Sequence, residues 1–205
     1  YGSRVSISIG IVAQIVASIV GIALGSLAGY YGGWLDNVIS RVMEIFQAFP
    51  DLIFAMAIMT FMGKGVLNLF IALGLLTWVR TARMIRASVM QLKEKEYIEA
   101  SRACGASTYW IIMKGLVPNC LSTIIVLVTL GIPNAIMYEA SLSFLGIGIQ
   151  PPTPSWGNMI SAAQTFISYR PVYSIMPGVA IMITVIAFNI FGDGLRDALD
   201  PKLRG

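Results

Sequence analysis

The stretch EKEYIEASRACGASTYWIIMKGLVPN, residues 94–119, is the longest polar stretch of an otherwise apolar chain. Its first third alternates Lys and Glu at helical spacing, which favours a short surface helix. Gly105 can end that helix in the left-handed conformation, and Ser107 or Thr108 can cap a second helix. The second helix is apolar and reaches Pro118, where a longer apolar segment begins. The stretch therefore predicts two short helices that are joined at a glycine and held at a membrane surface.

The whole chain of 205 residues is too apolar for a water-exposed fold. It is 57% hydrophobic and 12% charged, with a mean hydropathy of +0.78, whereas soluble domains are about 25% charged. The composition therefore predicts an integral membrane protein. The net charge of +4 is interpreted as cationic cytoplasmic loops and not as a nucleic-acid surface. With no His and two Cys, we expect no metal site, no cofactor and no disulfide framework.

Five apolar segments are long enough to span a bilayer, which takes about 20 residues to cross roughly 30 Å of hydrocarbon. The second is interrupted at Pro50, and the fourth is expected to bend or end near Pro133. The chain is therefore predicted to be all-α, a polytopic transmembrane helix bundle that forms one domain over residues 1–205. The predicted spans are residues 5–29, 38–62, 66–89, 116–136 and 175–191.

Basic residues predict the orientation of the bundle. Lys and Arg outnumber Glu between the third and fourth spans, which places that connection in the cytoplasm. Alternation then makes residues 138–174 an external loop. It also returns the C-terminus, with Arg196, Lys202 and Arg204, to the cytoplasm. An external start, and Tyr1 in place of Met, lead us to expect that a first helix is missing.

The polar stretch resembles the signature loop of ATP-binding-cassette (ABC) importer permeases. That signature reads Glu-Ala-Ala, three residues, Gly, nine residues, and Ile-x-Leu-Pro. Four positions match it at this spacing: Glu99, Ala100, Gly105 and Pro118. Three depart from it by small or apolar replacements: Ser101 for Ala, Gly115 for Ile and Val117 for Leu.

A longer stretch narrows the family. EASLSFLGIGIQPPTPSWGNMI, residues 139–160, resembles the C-type permease subunit of dipeptide, oligopeptide and nickel importers, as do SRVSISIG, FQAFPDLIFA and FNIFGDGLRDALDPKLRG elsewhere. The resemblance covers nearly the whole chain. It implies the type I ABC importer permease fold, whose members normally have six spans.

The resemblance also implies a function. The chain is expected to be the permease subunit of an importer that moves peptides, or a related small solute such as nickel, across the cytoplasmic (inner) membrane of a prokaryote. The implied partners are a second homologous permease subunit, two ABC ATPase subunits, an extracytoplasmic solute-binding protein and the lipid bilayer, with no nucleic acid. Since the chain has no G-x-x-x-x-G-K-[ST] loop, we expect ATP hydrolysis in the partner subunits and no enzymatic activity here.

In this family the signature loop, here about residues 91–115, forms a coupling helix that docks on an ATPase subunit. The resemblance therefore implies an ATPase-coupling role for Glu99, Ala100, Ser101, Gly105 and Pro118.

Polar residues in or beside the spans are candidates for a translocation pathway, and we select Asn134 and Glu139. Gly21, Gly25 and Gly29 recur every four residues and are interpreted as a close helix contact. One alternative function is an ATP-independent ion-coupled carrier or channel. It would need a buried ionisable residue at mid-span, and the sequence shows no clear one. Another alternative is a membrane scaffold that transports nothing.

Overall fold

The computed structural model describes residues 1–199, and that part of the chain contains helices and no β-strand. Lys202 and Arg204, which we placed in the cytoplasm, lie outside the described residues. In chain order the helices are α1 (Gly2–Tyr31), α2 (Gly33–Gln47), α3 (Asp51–Met62), α4 (Val66–Leu92), α5 (Glu96–Ala103), α6 (Thr108–Trp110), α7 (Leu121–Phe144), α8 (Trp156–Ala163) and α9 (Val172–Leu199). A π-helical turn (Ile111–Leu116) and a 3₁₀ turn (Pro118–Cys120) connect α6 to α7, and a second 3₁₀ turn (Gln164–Phe166) follows α8.

The spans agree with the hydropathy of the sequence. Within residues 1–199, four helical stretches are long and apolar enough to cross a membrane: Gly2–Tyr31, Val66–Leu92, Thr108–Phe144 and Val172–Leu199. The pair α2 and α3 passes the same test only together, and the two helices meet at 90°. Pro50 precedes α3 as its N-cap, and a proline there disfavours continuation of the preceding helix. Five spans are present when this bent pair counts as one.

The fourth span runs further than its sequence predicts. Pro133 lies inside α7, which continues to Phe144. Transmembrane helices tolerate an internal proline because neighbouring groups can satisfy the backbone carbonyl that it frees. The first residues assigned to the external loop are therefore the last turns of α7, and the short helix α8 occupies the middle of that loop.

Helix α1 packs on α4 along its glycines. A β-carbon at Gly25 would lie 2.4 Å from the carbonyl oxygen of Ala82, and one at Gly21 would lie 2.8 Å from that of Trp78. A β-carbon at Gly29 would meet the Arg86 carbonyl oxygen at 2.7 Å. Only glycine permits so close an approach of the two backbones. The interpretation of this stripe as a helix contact is confirmed.

A charged pair fixes the start of α2 against α4. Arg86 Nη2 donates a hydrogen bond of 2.6 Å to Asp36 Oδ2, and Arg86 Nε donates to Asp36 Oδ1. The two side chains are 29% and 12% exposed. The bidentate geometry fixes direction as well as distance, so it holds the bent pair α2–α3 in place beside α4.

Candidate functional site

The short helix α5 buries one side chain in the bundle. Ile98 is fully buried and is the only buried residue of α5. It packs in a cluster built from α4 and the segment that leads into α7; its other fully buried members include Ile85, Val89, Ile111 and Leu116. Burial of one isoleucine is worth about 1.5–3 kcal/mol. Ile98 therefore mechanically connects α5 to two spans.

The π-helical turn is shaped to receive α5. A β-carbon on Gly115 would lie 2.9 Å from Cδ1 of Ile98, so the glycine leaves room for that side chain. The Gly115 carbonyl accepts hydrogen bonds from Asn119 Nδ2 at 2.6 Å and from the Tyr97 hydroxyl at 3.4 Å. Burial raises the pKa of Tyr97, so its hydroxyl keeps its proton at neutral pH. The departure from the family signature at position 115 thus has a packing reason.

Gly105 terminates α5 two residues beyond its last helical residue, Ala103, as the sequence predicts. Gly105 has φ +80°, in the left-handed region that favours glycine. Its N–H donates to the Arg102 carbonyl at 2.9 Å, and the N–H of Ala106 donates to the Ser101 carbonyl at 3.0 Å. These two bonds form a Schellman motif. The Ser107 hydroxyl then accepts from the Trp110 N–H at 3.3 Å and caps the next helix.

The outer side of this loop is a shallow groove of small residues. Three predicted coupling residues, Ala100, Ser101 and Gly105, line it together with Cys104, Ala106, Ser107 and Trp110. Glu99 is exposed beside it and makes no ion pair within the part of the chain that the structure describes. Pro118 does not line the groove; it begins the 3₁₀ turn that leads into α7.

One long-range contact holds the C-terminal turn of α5. The Arg102 guanidinium lies over the Tyr30 ring, 5.2 Å from its centroid. Tyr30 belongs to the last turn of α1, so α5 touches the first span as well as the third and fourth. A movement of α5 would be transmitted to all three.

A second candidate site is a polar cavity of about 190 Å³ between the spans, open on one side. It lies between α1, the break of α2–α3, α4 and α7. Gln47 and Asp51, the helical residues on either side of that break, both line it, and an interrupted span is tolerated at membrane depth where it lines a cavity or is covered by protein. Its polar side chains are Gln14, Gln47, Asp51, Thr77, Arg80, Thr81, Asn134 and Tyr138.

The two predicted pathway residues fall in different places. Asn134 lines the cavity, where its Nδ2 donates to the Leu130 carbonyl at 3.1 Å. Glu139 is fully buried and is not part of the cavity lining. Its Oε1 accepts from the Ser143 hydroxyl at 2.8 Å, and Ser143 Oγ in turn accepts from the Ile149 N–H at 3.0 Å. Glu139 therefore helps to hold the turn after α7, and its pathway role stays a prediction without support from this geometry.

Sequence reasoning did not select Asp51 and Arg80, the charged residues of the cavity. Arg80 lies within the predicted third span, residues 66–89, and Asp51 follows a proline at a helix break. The break at Pro50 was the available signal, since side chains beside interrupted spans often face a cavity.

Comparison with known proteins identifies the family. The model of the family described as "Binding-protein-dependent transport system inner membrane component" matches residues 21–205. This chain belongs to that family. It is a permease subunit of an ABC importer, a translocation component and not an enzyme.

Curated relatives agree over the full chain. The permease is 42% identical over 203 residues to the glutathione transport system permease protein GsiD of Pectobacterium atrosepticum, with 99% of this chain and 67% of the relative covered. It is 41% identical over 204 residues to the protein of the same name from Escherichia coli O6:K15:H31, with 100% of this chain and 67% of the relative covered. The chain thus spans about two thirds of the length of these relatives.

Solved structures show the same fold. A chain of the MetNI methionine ABC transporter, in inward-facing conformations, matches with a TM-score of 0.76 at 21% identity, covering 97% of this permease and 94% of that chain. An amino acid ABC transporter solved with histidines matches with a TM-score of 0.70 at 15% identity, covering 95% and 90%. The predicted type I importer fold is confirmed, and family membership removes the support for a carrier that works without ATP.

Proposed function

We propose that this permease moves a peptide-like solute through a membrane-embedded pathway, and that α5 couples the movement to ATP hydrolysis in partner subunits. The observation that carries the proposal is the construction of α5. One side of the helix is locked into the bundle by Ile98, and the other side, around Gly105, is exposed and made of small residues. Such a helix is suited to rigid contact with another protein on its open side.

The groove determines how the partner docks. Small side chains allow a close approach, and an unpaired Glu99 beside the groove can bind a cation of the ATPase surface. When the two ATPase subunits close on ATP, they move the docked helices of the two permease subunits. Because α5 contacts α1, α4 and the start of α7, the spans move with it. This requires a bundle with two arrangements whose balance the ATPase changes.

The assembly follows from the same mechanism. We propose one homologous permease partner, two ATPase subunits and an extracytoplasmic solute-binding protein. The excess of Lys and Arg near α5 supports its location in the cytoplasm. That orientation also places α8 and the loop around it on the outer side, where a binding protein would deliver solute.

The relatives support the class of solute. Two relatives at 41–42% identity are named as glutathione transport permeases, and glutathione is a small peptide with free charged ends. We therefore favour a peptide-like solute over nickel.

The test is uptake by cells that express the full-length subunit with its neighbouring subunits. The probes are labelled glutathione, a labelled dipeptide and nickel. Gly105→Trp fills the groove, and Glu99→Lys replaces the negative charge beside the groove by a positive one. Both should abolish uptake while the protein remains in the membrane. Tyr109→Trp is the control, since Tyr109 is 76% exposed and does not line the groove. Normal uptake by both groove variants would refute coupling through α5, and uptake of nickel alone would refute the solute class.

A further inference from the structure

The polar cavity carries two opposite charges that do not neutralise each other. Asp51 and Arg80 both line it, and within residues 1–199 neither belongs to an ion pair. Ionisable residues in membrane spans normally pair with each other or mark a solute pathway. A molecule with a charge of each sign that enters this space can pair with both residues.

A hydrogen bond holds the Asp51 carboxylate in position at the cavity. The Tyr138 hydroxyl of α7 donates to Asp51 Oδ2 at 2.5 Å, which uses one carboxylate oxygen and leaves the other open. Asp51 is the first residue of α3, directly after the 90° break. Arg80 lies on α4 and has no hydrogen-bond partner among the described residues. The two charges thus come from different helices and are supported by a third.

Gln14 provides a third polar group that is independent of the charges. The residue is 2% exposed, and its Oε1 has no hydrogen-bond partner within residues 1–199. Its Nε2 donates to the Ser18 hydroxyl at 3.2 Å, and a β-carbon on Gly131 would lie 2.2 Å from its Cδ. An unpaired buried carbonyl oxygen is costly unless something donates to it. Gln14 lines the cavity, so a solute within it can supply that donor.

We propose that this cavity is a recognition site for zwitterionic peptides: Arg80 binds the carboxylate end, Asp51 binds the ammonium end, and Gln14 Oε1 accepts from a peptide N–H. The inference rests on the proposed function, since it names the class of solute that the pathway admits. Under this proposal the permease itself binds both charged ends of the peptide, in addition to any selection by a binding protein.

The size of the cavity limits what this chain can hold alone. Its volume of about 190 Å³ is below the roughly 300–1,000 Å³ of ordinary ligand pockets. Asp51, Arg80 and Asn134 are all exposed in the isolated chain, so the cavity is open on one side. The second permease subunit of the proposed assembly supplies the missing wall, and the test therefore uses the whole transporter.

The experiment measures binding to the purified full transporter without its binding protein, so that binding-protein selection does not enter. The probes are alanyl-alanine, its C-terminal amide and its N-acetyl form. Ligand that binds the folded complex raises its unfolding temperature in a concentration-dependent manner, which gives a Kd for each probe. We expect the zwitterion to bind at least about tenfold more tightly than either blocked form, the effect of one hydrogen bond between charged groups.

Single substitutions then assign the two ends. Arg80→Gln should abolish the preference for the free carboxylate and keep the preference for the free amine, and Asp51→Asn should do the reverse. Arg83→Gln is the matched control, because Arg83 is an exposed arginine one turn further along α4 that does not line the cavity. It should keep both preferences.

The outcomes separate this inference from the proposed function. Equal binding of all three probes by the wild type, or an unchanged preference in Arg80→Gln, overturns the recognition site. Uptake of labelled alanyl-alanine by the wild type in vesicles with ATP and the binding protein tests the proposed function separately. Binding with the expected preferences but without uptake would keep the site and reject the transport role.

Discussion

Ile98 of α5 and Gly115 of the π-helical turn fit together as a side chain and the space made for it. Ile98 is fully buried, and a β-carbon at position 115 would lie 2.9 Å from its Cδ1. No other residue of α5 is buried. The apolar attachment of the proposed coupling helix to the spans therefore depends on this contact and the cluster around it, while Tyr97 and Arg102 add polar contacts.

Ile98→Ala should detach α5 from the bundle. Removal of a fully buried isoleucine side chain costs about 2–5 kcal/mol, which exceeds what the polar contacts of so short a helix can replace. We expect uptake to fall sharply while the spans stay folded, and amide hydrogen exchange of residues 96–103 to accelerate. Ile19→Ala is the matched control, since Ile19 is 64% exposed. Unchanged exchange in α5 would show that another contact holds it.

Gly115→Ala tests the other side of the same contact. The new β-carbon would press on Ile98 Cδ1, and the combination with Ile98→Val removes that atom. We expect the double variant to recover part of the unfolding temperature that Gly115→Ala loses, because contacting residues show non-additive effects. Purely additive shifts in unfolding temperature would mean that the two residues are not in contact in the assembled transporter.

The effect of a substitution at Gly105 on coupling should depend on backbone strain and not on side-chain volume alone. A β-carbon there meets no described residue within 4 Å, but φ is +80°, a conformation that costs a residue with a side chain about 1–2 kcal/mol. Gly105→Ala should therefore weaken coupling, and Gly105→Asn should do so less, since Asn adopts this conformation more readily. Uptake and ATPase activity of the assembled transporter measure the difference.

The control for Gly105 is Gly178→Ala. Gly178 also has open space around its β-position, but it lies in α9 without a positive φ, so alanine should be neutral or slightly stabilising there. Equal losses at the two glycines would exclude backbone strain as the cause.

The ion pair between Asp36 and Arg86 should stabilise the transporter measurably. Either Asp36→Asn or Arg86→Gln leaves a partly buried charge without its partner, which should cost about 1–3 kcal/mol of unfolding free energy. The exposed pair Arg41–Glu44, at 79% and 54% side-chain exposure, is the control, and Arg41→Gln should cost about 0.5 kcal/mol or less. Equal shifts in unfolding temperature for the two pairs would contradict the role assigned to Asp36 and Arg86.

The features that the sequence predicts correctly are local. Gly105 ends α5 and Ser107 caps the next helix because each signal acts over a few residues, and the four-residue spacing of Gly21, Gly25 and Gly29 is enough to predict a close helix contact. Hydropathy gives the spans for the same reason. Pro133 shows the limit of local reasoning. A proline alone predicts that the helix bends or ends there, but α7 continues through it because the surrounding bundle stabilises the helix.

The polar cavity could not be predicted in this way. The hydrogen bond between Tyr138 and Asp51 joins residues 87 positions apart, and Gln14 reaches Gly131 from a third helix. No periodicity connects such residues, because which faces of the helices meet depends on the packing of all the spans together. Glu139 illustrates the converse: it is an ionisable residue in an apolar segment, yet the packing places it in the interior beside Ser143.

Gly25→Ala should disrupt the contact between α1 and α4. Its β-carbon would lie 2.4 Å from the Ala82 carbonyl oxygen, and that atom belongs to the backbone, so whole helices must separate. Overpacking of this kind costs about 1–3 kcal/mol, which should appear as a lower unfolding temperature of the purified transporter. Gly74→Ala is the control, because its nearest neighbour, Val16 Cγ1, would be 3.7 Å away, an ordinary contact that makes alanine neutral or stabilising. If Gly74→Ala lowered the unfolding temperature as much as Gly25→Ala, then loss of a glycine as such, and not the close approach of α1 to α4, would be what destabilises the bundle.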